Sequence, residues 1–365
     1  MRPPILKWLG GKREHLPYLG RVFEGSRKVL VEPFVGSAVV FLNTNFDEYI
    51  LGDANRDLIE LYKYAMVTPE ALISEMRPVF ATGFSKDAYL ALREEFNGLE
   101  YNIRRAALFV YLNRFGFNGL CRYNQKGGFN VPFGNYTDPA KGPRLPENAI
   151  MGFAEKASKA RVQFVHGPFE ETLGLITDAP NTVVYADPPY VPLSATANFV
   201  GYTGDGFTLQ SQVSLAKALR AHYERGGLSV LSNSDTEQTM AIFSHPEARH
   251  YLLRIKRSIA ASTSSRVAAG EILTVLGDNF PKTSLEDSAE AMRGYVERYV
   301  KERELDGMVA WLRFGDPNIR IAKGFVLPDN LSAGKAIGWC PDVNPWSACH
   351  YFIRVTCGET VIEYI

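Results

Sequence analysis

A tetrapeptide in the middle of the chain, Asp187-Pro188-Pro189-Tyr190, combines a carboxylate, two rigid residues and an aromatic ring. It comes just after the apolar run Thr182–Tyr185, which is typical of a buried strand. Proline has no N–H to donate to a sheet, so the two prolines end the strand and stiffen the turn that follows. We therefore expect a carboxylate and a ring to be held at the rim of a sheet.

These residue types meet the chemical needs of an exocyclic adenine amine, whose lone pair is delocalised into the ring. If Asp187 accepts one N–H and the main-chain oxygen of Pro188 accepts the other, the nitrogen becomes tetrahedral and its lone pair is freed. Tyr190 can stack on a base that has left the duplex. A structural Pro-Pro turn beside a solvated Asp187 is the alternative, because short motif matches include false positives.

A second group of candidates surrounds the strand-like run Val29–Val31, which leads into Glu32-Pro33-Phe34-Val35-Gly36. A strand followed by a glycine-containing turn and a helix lets a ligand approach the backbone closely. Glu32, Phe34 and Gly36 are therefore candidates for binding a cofactor.

Two further positions extend that site. Asp53 follows the run Tyr49–Leu51, and an acidic residue at the end of the second strand suits hydrogen bonds to ribose hydroxyls. The alternative for Asp53 is an N-cap of the helix predicted at Arg56–Ala65. Upstream, Trp8 and Lys12 place a ring and a cation beside a glycine turn, where Lys12 could pair with a carboxylate of a methionine moiety.

Around these candidates, short apolar runs alternate with helical patterns such as Arg56–Ala65 and Leu209–Glu224. This alternation predicts an α/β fold with a parallel sheet. Ligands of such sheets bind at the carboxyl ends of the strands, where the motifs above fall. The predicted strands are Val29–Val31, Tyr49–Leu51, Val162–Val165, Thr182–Tyr185 and Leu228–Leu231.

Two regions interrupt the alternation. Residues 68–146 contain helical patterns and then a stretch rich in glycine, asparagine and aromatic residues, which predicts an inserted module that is mainly helical. The tail opens with an amphipathic pattern, Leu285–Leu305, followed by strand-like runs at Met308–Phe314 and Tyr351–Thr356. We therefore predict a main domain at 1–67 and 147–278, an inserted domain at 68–146, and a small α+β extension at 279–365.

Composition narrows the functional classes. The chain has 365 residues with 40 basic and 40 acidic side chains, so any DNA-binding charge must be concentrated on one face. No segment has the length and apolarity of a signal peptide or a membrane span. The four cysteines form no C-x-x-C pair, which suits a reducing cytoplasm. Cys340, Cys349, His350 and Cys357 match no common zinc spacing, so no metal is expected.

The quoted motifs, taken together, resemble the Dam family of DNA adenine-N6 methyltransferases, which act on GATC. The resemblance covers residues 5–277, about three quarters of the chain. It implies a Rossmann-like sheet of an S-adenosylmethionine-dependent methyltransferase, with residues 68–146 as an inserted target-recognition domain. The matching segments, in family order, are KWLGGK, VEPFVGSAVVFLNT, LGDANRDLIELYK, REEFN, YLNRFGFNGLCRYNQKGGFNVPFG, VVYADPPYVPLSATANF, LSNSDT and IKRSIAA.

The resemblance also implies roles for individual residues. Lys7 would reach the first guanine of GATC, and Arg122 the guanine of the opposite strand, as the geometry of arginine in the major groove favours. The residues implied to contact S-adenosylmethionine are Trp8, Lys12, Asp53 and Asp187. Those implied to contact DNA are Lys7, Phe117, Asn118, Leu120, Arg122, Pro132 and Tyr136, with a loop from Ser194 to Asn198 near the flipped adenine.

Three features depart from the family pattern. Phe115 and Phe117 replace the usual tyrosines, so stacking in the duplex survives while a phosphate hydrogen bond is lost. Ala38 replaces the usual second glycine after EPFVG and is expected to crowd the cofactor turn slightly. The tail after about Asp278 has no counterpart in the family.

The resemblance implies a cytoplasmic enzyme associated with the nucleoid, acting as a monomer on double-stranded DNA, with a dimer on DNA as an alternative, and releasing S-adenosylhomocysteine. Three other functions stay open: N6-adenine methylation of another DNA sequence or of RNA, methylation of a protein amide, and a catalytically inactive DNA-binding module. Amide methylation uses a similar motif that begins with asparagine, so Asp187 argues against it. The intact Lys12, Asp53 and Asp187 argue against an inactive pocket.

Overall fold

The computed structural model describes residues 1–254 and 270–277, apart from residues 9, 26, 83, 135, 137–141 and 191–206, together with five short strands between residues 313 and 364. The chain divides into two compact units. One unit comprises residues 1–243 and 252–279, and the other comprises residues 244–251 and 280–365.

A seven-stranded sheet has the order β3-β2-β1-β4-β5-β7-β6. The first five strands pair in parallel, whereas β7 runs antiparallel to β5 with Ser234 opposite Glu271. The strands are β1 (Val29–Glu32), β2 (Glu48–Asp53), β3 (Arg161–His166), β4 (Thr182–Ala186), β5 (Leu228–Ser234), β6 (Ala248–Arg254) and β7 (Gly270–Leu276).

The central strands are buried along their whole length, as expected for parallel strands that are covered on both faces. Every residue of β4 and of β5 is buried, whereas β3 at the edge of the sheet is partly exposed. All five strands predicted from the sequence are confirmed, and each extends by one to three residues beyond its predicted run. The strands β6 and β7 were not predicted.

Helices cover the sheet and build the region between β2 and β3. Asn55 caps α3 by accepting the N–H of Leu58 at 3.2 Å, and Thr208 caps α9. The helices are α1 (Leu16–Val22), α2 (Val39–Leu42), α3 (Arg56–Val67), α4 (Pro69–Ala81), α5 (Lys86–Gly98), α6 (Ile103–Phe115), α7 (Glu147–Ala157), α8 (Phe169–Gly174), α9 (Leu209–Glu224) and α10 (Glu237–Phe243). The helices predicted at Arg56–Ala65 and Leu209–Glu224 correspond to α3 and α9.

Helix α6 is the centre of the region between α3 and α7. It is buried almost throughout and packs against α3, α4 and α5. After α6 the chain forms a short hairpin, with a bridge between Tyr123 and Phe129 and another between Gly116 and Phe133. Phe96, Phe109 and Phe129 form an aromatic cluster beneath this hairpin. The helical content expected for residues 68–146 is therefore observed.

The described part of the second unit after residue 280 consists of strands. The last two, β11 and β12, form an antiparallel hairpin in which Val355 faces Ile362. These strands are β8 (Arg313–Phe314), β9 (Arg320–Ile321), β10 (Gly338–Trp339), β11 (Tyr351–Cys357) and β12 (Thr360–Tyr364). The strand predicted at Tyr351–Thr356 is confirmed, and Leu285–Leu305 lies outside the described residues.

No helix in the described part of the chain is both long and apolar enough to cross a membrane.

Candidate active site

Three acidic residues lie where three neighbouring strands end. Glu32 is the last residue of β1, Asp53 is the last residue of β2, and Asp187 directly follows β4. These strands are adjacent and parallel, so their carboxyl ends meet at one edge of the sheet. The expected clustering of the sequence candidates at this edge is confirmed.

A cleft of about 350 Å³, open to solvent, lies at this edge. Its wall joins the N-terminal turn, the segment after β1 and the end of β4. The lining residues are Trp8, Gly10, Gly11, Lys12, Glu32, Phe34, Val35, Gly36, Ser37, Val39, Val40, Tyr185 and Asp187. We call this set the cofactor cleft.

Gly36 makes the tight turn of the cofactor cleft. Its φ of +46° lies in the left-handed region that favours glycine, and a Cβ built there would lie 2.9 Å from the indole Nε1 of Trp8. The hydroxyl of Tyr62 donates to the carbonyl of Gly36 at 2.6 Å, which helps to fix the turn. A side chain at position 36 would therefore displace Trp8 and strain the backbone.

Asp53 holds this turn against the second strand. Its two carboxylate oxygens accept the backbone N–H groups of Gly36 at 3.1 Å and of Asn55 at 2.9 Å. Burial raises the pKa of Asp53 to about 6, and the two backbone hydrogen bonds limit that rise. Asn55, not Asp53, caps the helix, so the N-cap interpretation of Asp53 is wrong.

Glu32 is a buried carboxyl in the cleft wall and only 2% exposed. Burial raises its pKa to about 8, and the nearby charge of Asp187 adds to the rise. Its Oε1 atom has no hydrogen-bond partner among the described residues. A buried polar atom without a partner is costly to fold, so this atom is suited to contact a polar ligand group.

Asp187 and Lys12 form an ion pair in the wall of the cleft. Lys12 Nζ lies 3.0 Å from Asp187 Oδ1 and donates to the carbonyl of Gly10 at 2.8 Å. Burial raises the pKa of Asp187, although Lys12 opposes the rise. The sequence predicted that Lys12 would pair with the carboxylate of a ligand, whereas in the structure its partner is the carboxylate of Asp187, and both side chains line the cleft.

Beside this pair, Glu271 on β7 contacts three side chains. Its Oε2 accepts the Tyr190 hydroxyl at 2.8 Å and lies 3.1 Å from His15 Nε2 and 3.9 Å from Lys12 Nζ. Burial raises the pKa of Glu271, but the contacts with His15, Lys12 and Tyr190 outweigh it and bring the pKa to about 2. Glu271 is therefore a carboxylate in the folded protein.

The turn after β4 is also anchored through its backbone. The amide of Gln212 on α9 donates to the carbonyl of Pro189 at 2.7 Å, and Asn233 on β5 donates to Gln212 Oε1 at 3.2 Å. The prolines thus end the strand as predicted, and α9 fixes the turn that carries Asp187 and Tyr190.

Lys7 lies on the other side of the N-terminal turn, next to the end of α6. Asn113, fully buried, brackets it by accepting its N–H at 2.9 Å and donating to its carbonyl at 2.8 Å. Lys7 Nζ lies 3.1 Å from the hydroxyl of Tyr136, which donates to the carbonyl of Arg114 at 3.0 Å. Two of the predicted DNA contacts, Lys7 and Tyr136, therefore touch each other.

The other predicted DNA contacts within the described residues follow α6, on or next to the hairpin. Phe117 is 48% exposed, and Asn118 has a left-handed φ of 54° that directs the chain into the hairpin. The guanidinium of Arg122 donates to Asn130 Oδ1 at 2.8 Å and remains exposed. Leu120 is partly exposed and Pro132 is exposed. Ser194 and Asn198 lie in a stretch that the structure does not describe.

Sequence reasoning missed the residues that support the site: Glu271, His15, Asn113 and the buried pair of Asp57 and Arg105. Arg105 Nε lies 2.5 Å from Asp57 Oδ1, and the Tyr123 hydroxyl donates to Asp57 Oδ2 at 2.8 Å. The available signal was local: Glu271 is a lone acid before the apolar run 272–276, and Asn113 interrupts the apolar pattern of α6.

Within the described residues, no group of three or more His, Cys, Asp or Glu side chains could hold a metal ion. Cys340, Cys349 and His350 lie outside that part of the chain.

Comparison with known proteins gives a consistent result. A family model for D12 class N6 adenine-specific DNA methyltransferases matches residues 8–259. The chain is 42% identical over 273 residues to a DNA adenine methylase of Vibrio cholerae, covering 74% of this chain and 95% of the relative. It is 41% identical over 279 residues to the DNA adenine methylase of Escherichia coli K12, covering 74% and 94%.

A third relative, the DNA adenine methylase of Haemophilus influenzae, is 39% identical over 280 residues, covering 75% of this chain and 93% of the relative. The family match contains the N-terminal turn, all three acidic strand ends and the hairpin after α6. Sequence, strand-end geometry and relatives therefore agree, and the chain belongs to the D12 class of N6 adenine-specific DNA methyltransferases.

Proposed function

We propose that the protein transfers a methyl group from S-adenosylmethionine to N6 of the adenine in GATC within double-stranded DNA. The observation that carries the proposal is that Asp187 lies in the same cleft as Glu32 and Gly36, with Lys12 at 3.0 Å. A carboxylate suited to an amine thus borders a glycine turn suited to a nucleoside cofactor.

The cofactor cleft fits S-adenosylmethionine in its donor set. Asp53 does not line the cleft itself but lies directly behind Gly36, whose N–H it accepts. A carboxylate has about four lone-pair sites, and among the described residues Asp53 accepts two backbone N–H groups, so ribose hydroxyls can still donate to it. The free Oε1 of Glu32 suits a polar or cationic group, and the rings of Trp8 and Phe34 suit an adenine face. When bound, the cofactor supplies an activated methyl group and leaves as S-adenosylhomocysteine.

The chain's own residues prepare the adenine amine. Asp187 accepts one N–H and the carbonyl of Pro188 accepts the other, so the nitrogen lone pair turns towards the cleft. Tyr190 provides a ring for stacking. These groups lie at the rim of the sheet, and a base can reach them only after leaving the duplex, as other enzymes that modify bases require.

We assign sequence readout to Lys7 and to the segment from α6 to Tyr136, which is within the proposed recognition domain 68–146. Lys7 and Arg122 would read the two guanines, Leu120 and Pro132 would contact thymine methyl groups, and Phe117 would enter the duplex. The exposure of Phe117 and Arg122 supports this assignment, because a reading residue must be accessible in the free protein.

The proposed enzyme works as a monomer on the chromosome in the cytoplasm, where its DNA substrate lies. Residues 279–365 lie beyond the family match, which ends at residue 259, and beyond every residue assigned to chemistry or readout. We therefore propose that they form an accessory extension.

The decisive experiment is methyl transfer from tritiated S-adenosylmethionine to three substrates: a GATC duplex, a duplex with adenine but no GATC, and an RNA of matched sequence. We expect label only in the first. Equal labelling of both duplexes would refute GATC specificity, labelling of RNA alone would refute the DNA substrate, and binding without transfer would favour an inactive module.

The variant Asp187→Ala tests the proposed role of Asp187 in the chemical step. It should lower turnover by two or more orders of magnitude, because positioned proton acceptors contribute about 10²–10⁴-fold. DNA affinity should persist, since it comes mainly from phosphate contacts. Retention of more than a few per cent of turnover would remove Asp187 from the proposed role.

A further inference from the structure

Glu271 is a buried charge next to the reacting groups, contributed by a strand outside the Asp-Pro-Pro-Tyr motif. It is 7% exposed and is the second residue of β7, opposite Ser234 of β5. A buried carboxylate is stable only when it is paired and hydrogen-bonded. Its three contacts, with Tyr190, His15 and Lys12, provide this pairing.

Lys12 is shared between two carboxylates. Its Nζ lies 3.0 Å from Asp187 and 3.9 Å from Glu271, and 4.7 Å from the centre of the Tyr190 ring. In the absence of a base, the ammonium group therefore occupies one oxygen of the carboxylate that should receive the adenine amine. Withdrawing a buried ammonium group from Asp187 without a second anion would leave it unpaired, which is costly.

We propose that Glu271 is a positioning residue for methyl transfer, with two effects. It fixes the Tyr190 ring through the hydroxyl, and it serves as the second anion to which Lys12 moves when Asp187 accepts the adenine N–H. The inference rests on the proposed function, because it takes Asp187 as the acceptor of the amine.

Two substitutions test the effect on Lys12 and the effect on the Tyr190 ring separately. Glu271→Gln removes the charge that receives Lys12 and keeps an oxygen that can accept the Tyr190 hydroxyl. Tyr190→Phe removes the hydroxyl and keeps both the ring and the charge of Glu271. Glu224→Gln is the matched control, because Glu224 is an exposed glutamate at the end of α9.

The measurements are kcat and KM with a GATC duplex, Kd for the duplex, and fluorescence of 2-aminopurine placed at the target adenine. For Glu271→Gln we expect kcat to fall about 10- to 100-fold, as for misplacement of reacting groups, with Kd for DNA nearly unchanged. For Tyr190→Phe we expect a smaller loss of kcat and a changed 2-aminopurine signal, since the ring is less fixed. Glu224→Gln should match the wild type.

A Glu271→Gln enzyme that melts like the wild type and keeps its kcat would overturn the role towards Lys12. So would losses of kcat, DNA affinity and melting temperature that occur together, because a purely structural role predicts them. If Glu271→Gln does not fold, Tyr190→Phe decides, and a wild-type kcat and fluorescence signal would overturn the inference. Absence of transfer by the wild type would instead overturn the proposed function.

Discussion

The cofactor cleft and the segment that carries the proposed DNA contacts are held in opposite ways. In and beside the cleft, Glu32 Oε1 is buried without a hydrogen-bond partner among the described residues, and Gly36 and Ala38 have left-handed backbones. Beneath the hairpin after α6, the buried side chains of Asp57, Arg105 and Asn113 all have hydrogen-bond partners. The proposed functions account for this difference. A cleft that binds a ligand can recover the lost folding stability on binding, whereas the proposed reading side chains are exposed and need a rigid support.

Two observations show that groups in and beside the cleft lower the stability of the folded protein. Burial raises the pKa of Glu32 to about 8 and that of Asp53 to about 6, so folding disfavours their ionised forms. Ala38 has a left-handed φ of 57°, which is unfavourable for a residue with a Cβ. A ligand that pairs with these groups would recover part of this cost on binding.

The hairpin is supported by buried polar side chains that have hydrogen-bond partners. Arg105 makes a two-pronged contact with Asp57 and donates to the carbonyls of Phe96 and Leu99 at 2.8 and 2.6 Å. Tyr123, next to Arg122, donates to the same carboxylate. Because α3 begins just after Asp53, this network joins the edge of the cleft to the proposed reading residue.

Breaking that support should give the largest stability effect. Asp57→Ala leaves Arg105 buried without its anion, and we expect a loss of about 3–5 kcal/mol in the free energy of unfolding. Urea denaturation followed by circular dichroism measures it. Asp87→Ala is the control, since Asp87 is also in the first turn of a helix but is exposed. Equal losses for the two variants would contradict the contrast between the regions.

Removing the buried acid Glu32 from the cleft should instead stabilise the protein. An acid whose folded pKa is raised loses stability as pH rises from its unfolded value, here 4.5, to its folded value of about 8. Glu32→Gln removes this loss, so at pH 9 we expect the unliganded protein to gain on the order of 3 kcal/mol.

The gain from Glu32→Gln should shrink as pH falls below 8 and vanish near pH 4.5, while binding of S-adenosylmethionine weakens. Thermal melts of both proteins across this range, with calorimetry of cofactor binding at pH 8, provide the measurement. A gain that does not change with pH would show that packing, not ionisation, causes it.

Specificity should depend on the exposed hairpin and not on the cleft. Arg122→Ala should cost about 1–3 kcal/mol of discrimination at one guanine. Lys126→Ala, on the exposed tip of the same hairpin, should weaken all duplexes equally if it weakens any. The ratio of kcat/KM for a GATC duplex to that for a singly altered duplex measures the discrimination. An unchanged ratio for Arg122→Ala would mean that Arg122 contacts only the DNA backbone and does not read a base.

The sheet and the acidic strand ends could be predicted because both follow from local pattern. Buried parallel strands read as short apolar runs, and the turn residues that follow them mark the binding edge. In the tail, the strand predicted at Tyr351–Thr356 is observed as Tyr351–Cys357, and the helix at Leu285–Leu305 stays a prediction because it lies outside the described residues.

The supporting contacts could not be predicted, because they join residues far apart in sequence. Asp57 and Arg105 are separated by 48 positions, and Tyr190 and Glu271 by 81. No local pattern distinguishes the carboxylate that will receive a distant arginine or tyrosine from one that is solvated. Ala38 was expected to crowd the turn, but its left-handed backbone was not predicted, because alanine rarely adopts that conformation.

Ala38 provides the smallest and most selective test of the contrast between the two regions. It is fully buried and stands at the N-cap of α2, with φ 57° and ψ 23°. Glycine relieves about 1–2 kcal/mol of left-handed strain, and it loses about 0.4–1 kcal/mol through the larger entropy of the unfolded chain. We therefore expect Ala38→Gly to stabilise the protein by about 0.5 kcal/mol.

The matched change in the other region is Ala107→Gly in the middle of α6, where the alanine is equally buried but helical. There glycine relieves no strain, so the protein should lose about 1 kcal/mol from helix propensity alone. Urea denaturation of the two variants against the wild type should give effects of opposite sign, because the same chemical change meets a strained backbone in the cleft and a relaxed one in the helix. Two losses of similar size would mean that the backbone at position 38 stores no strain, and that the cost in the cleft lies in its charges alone.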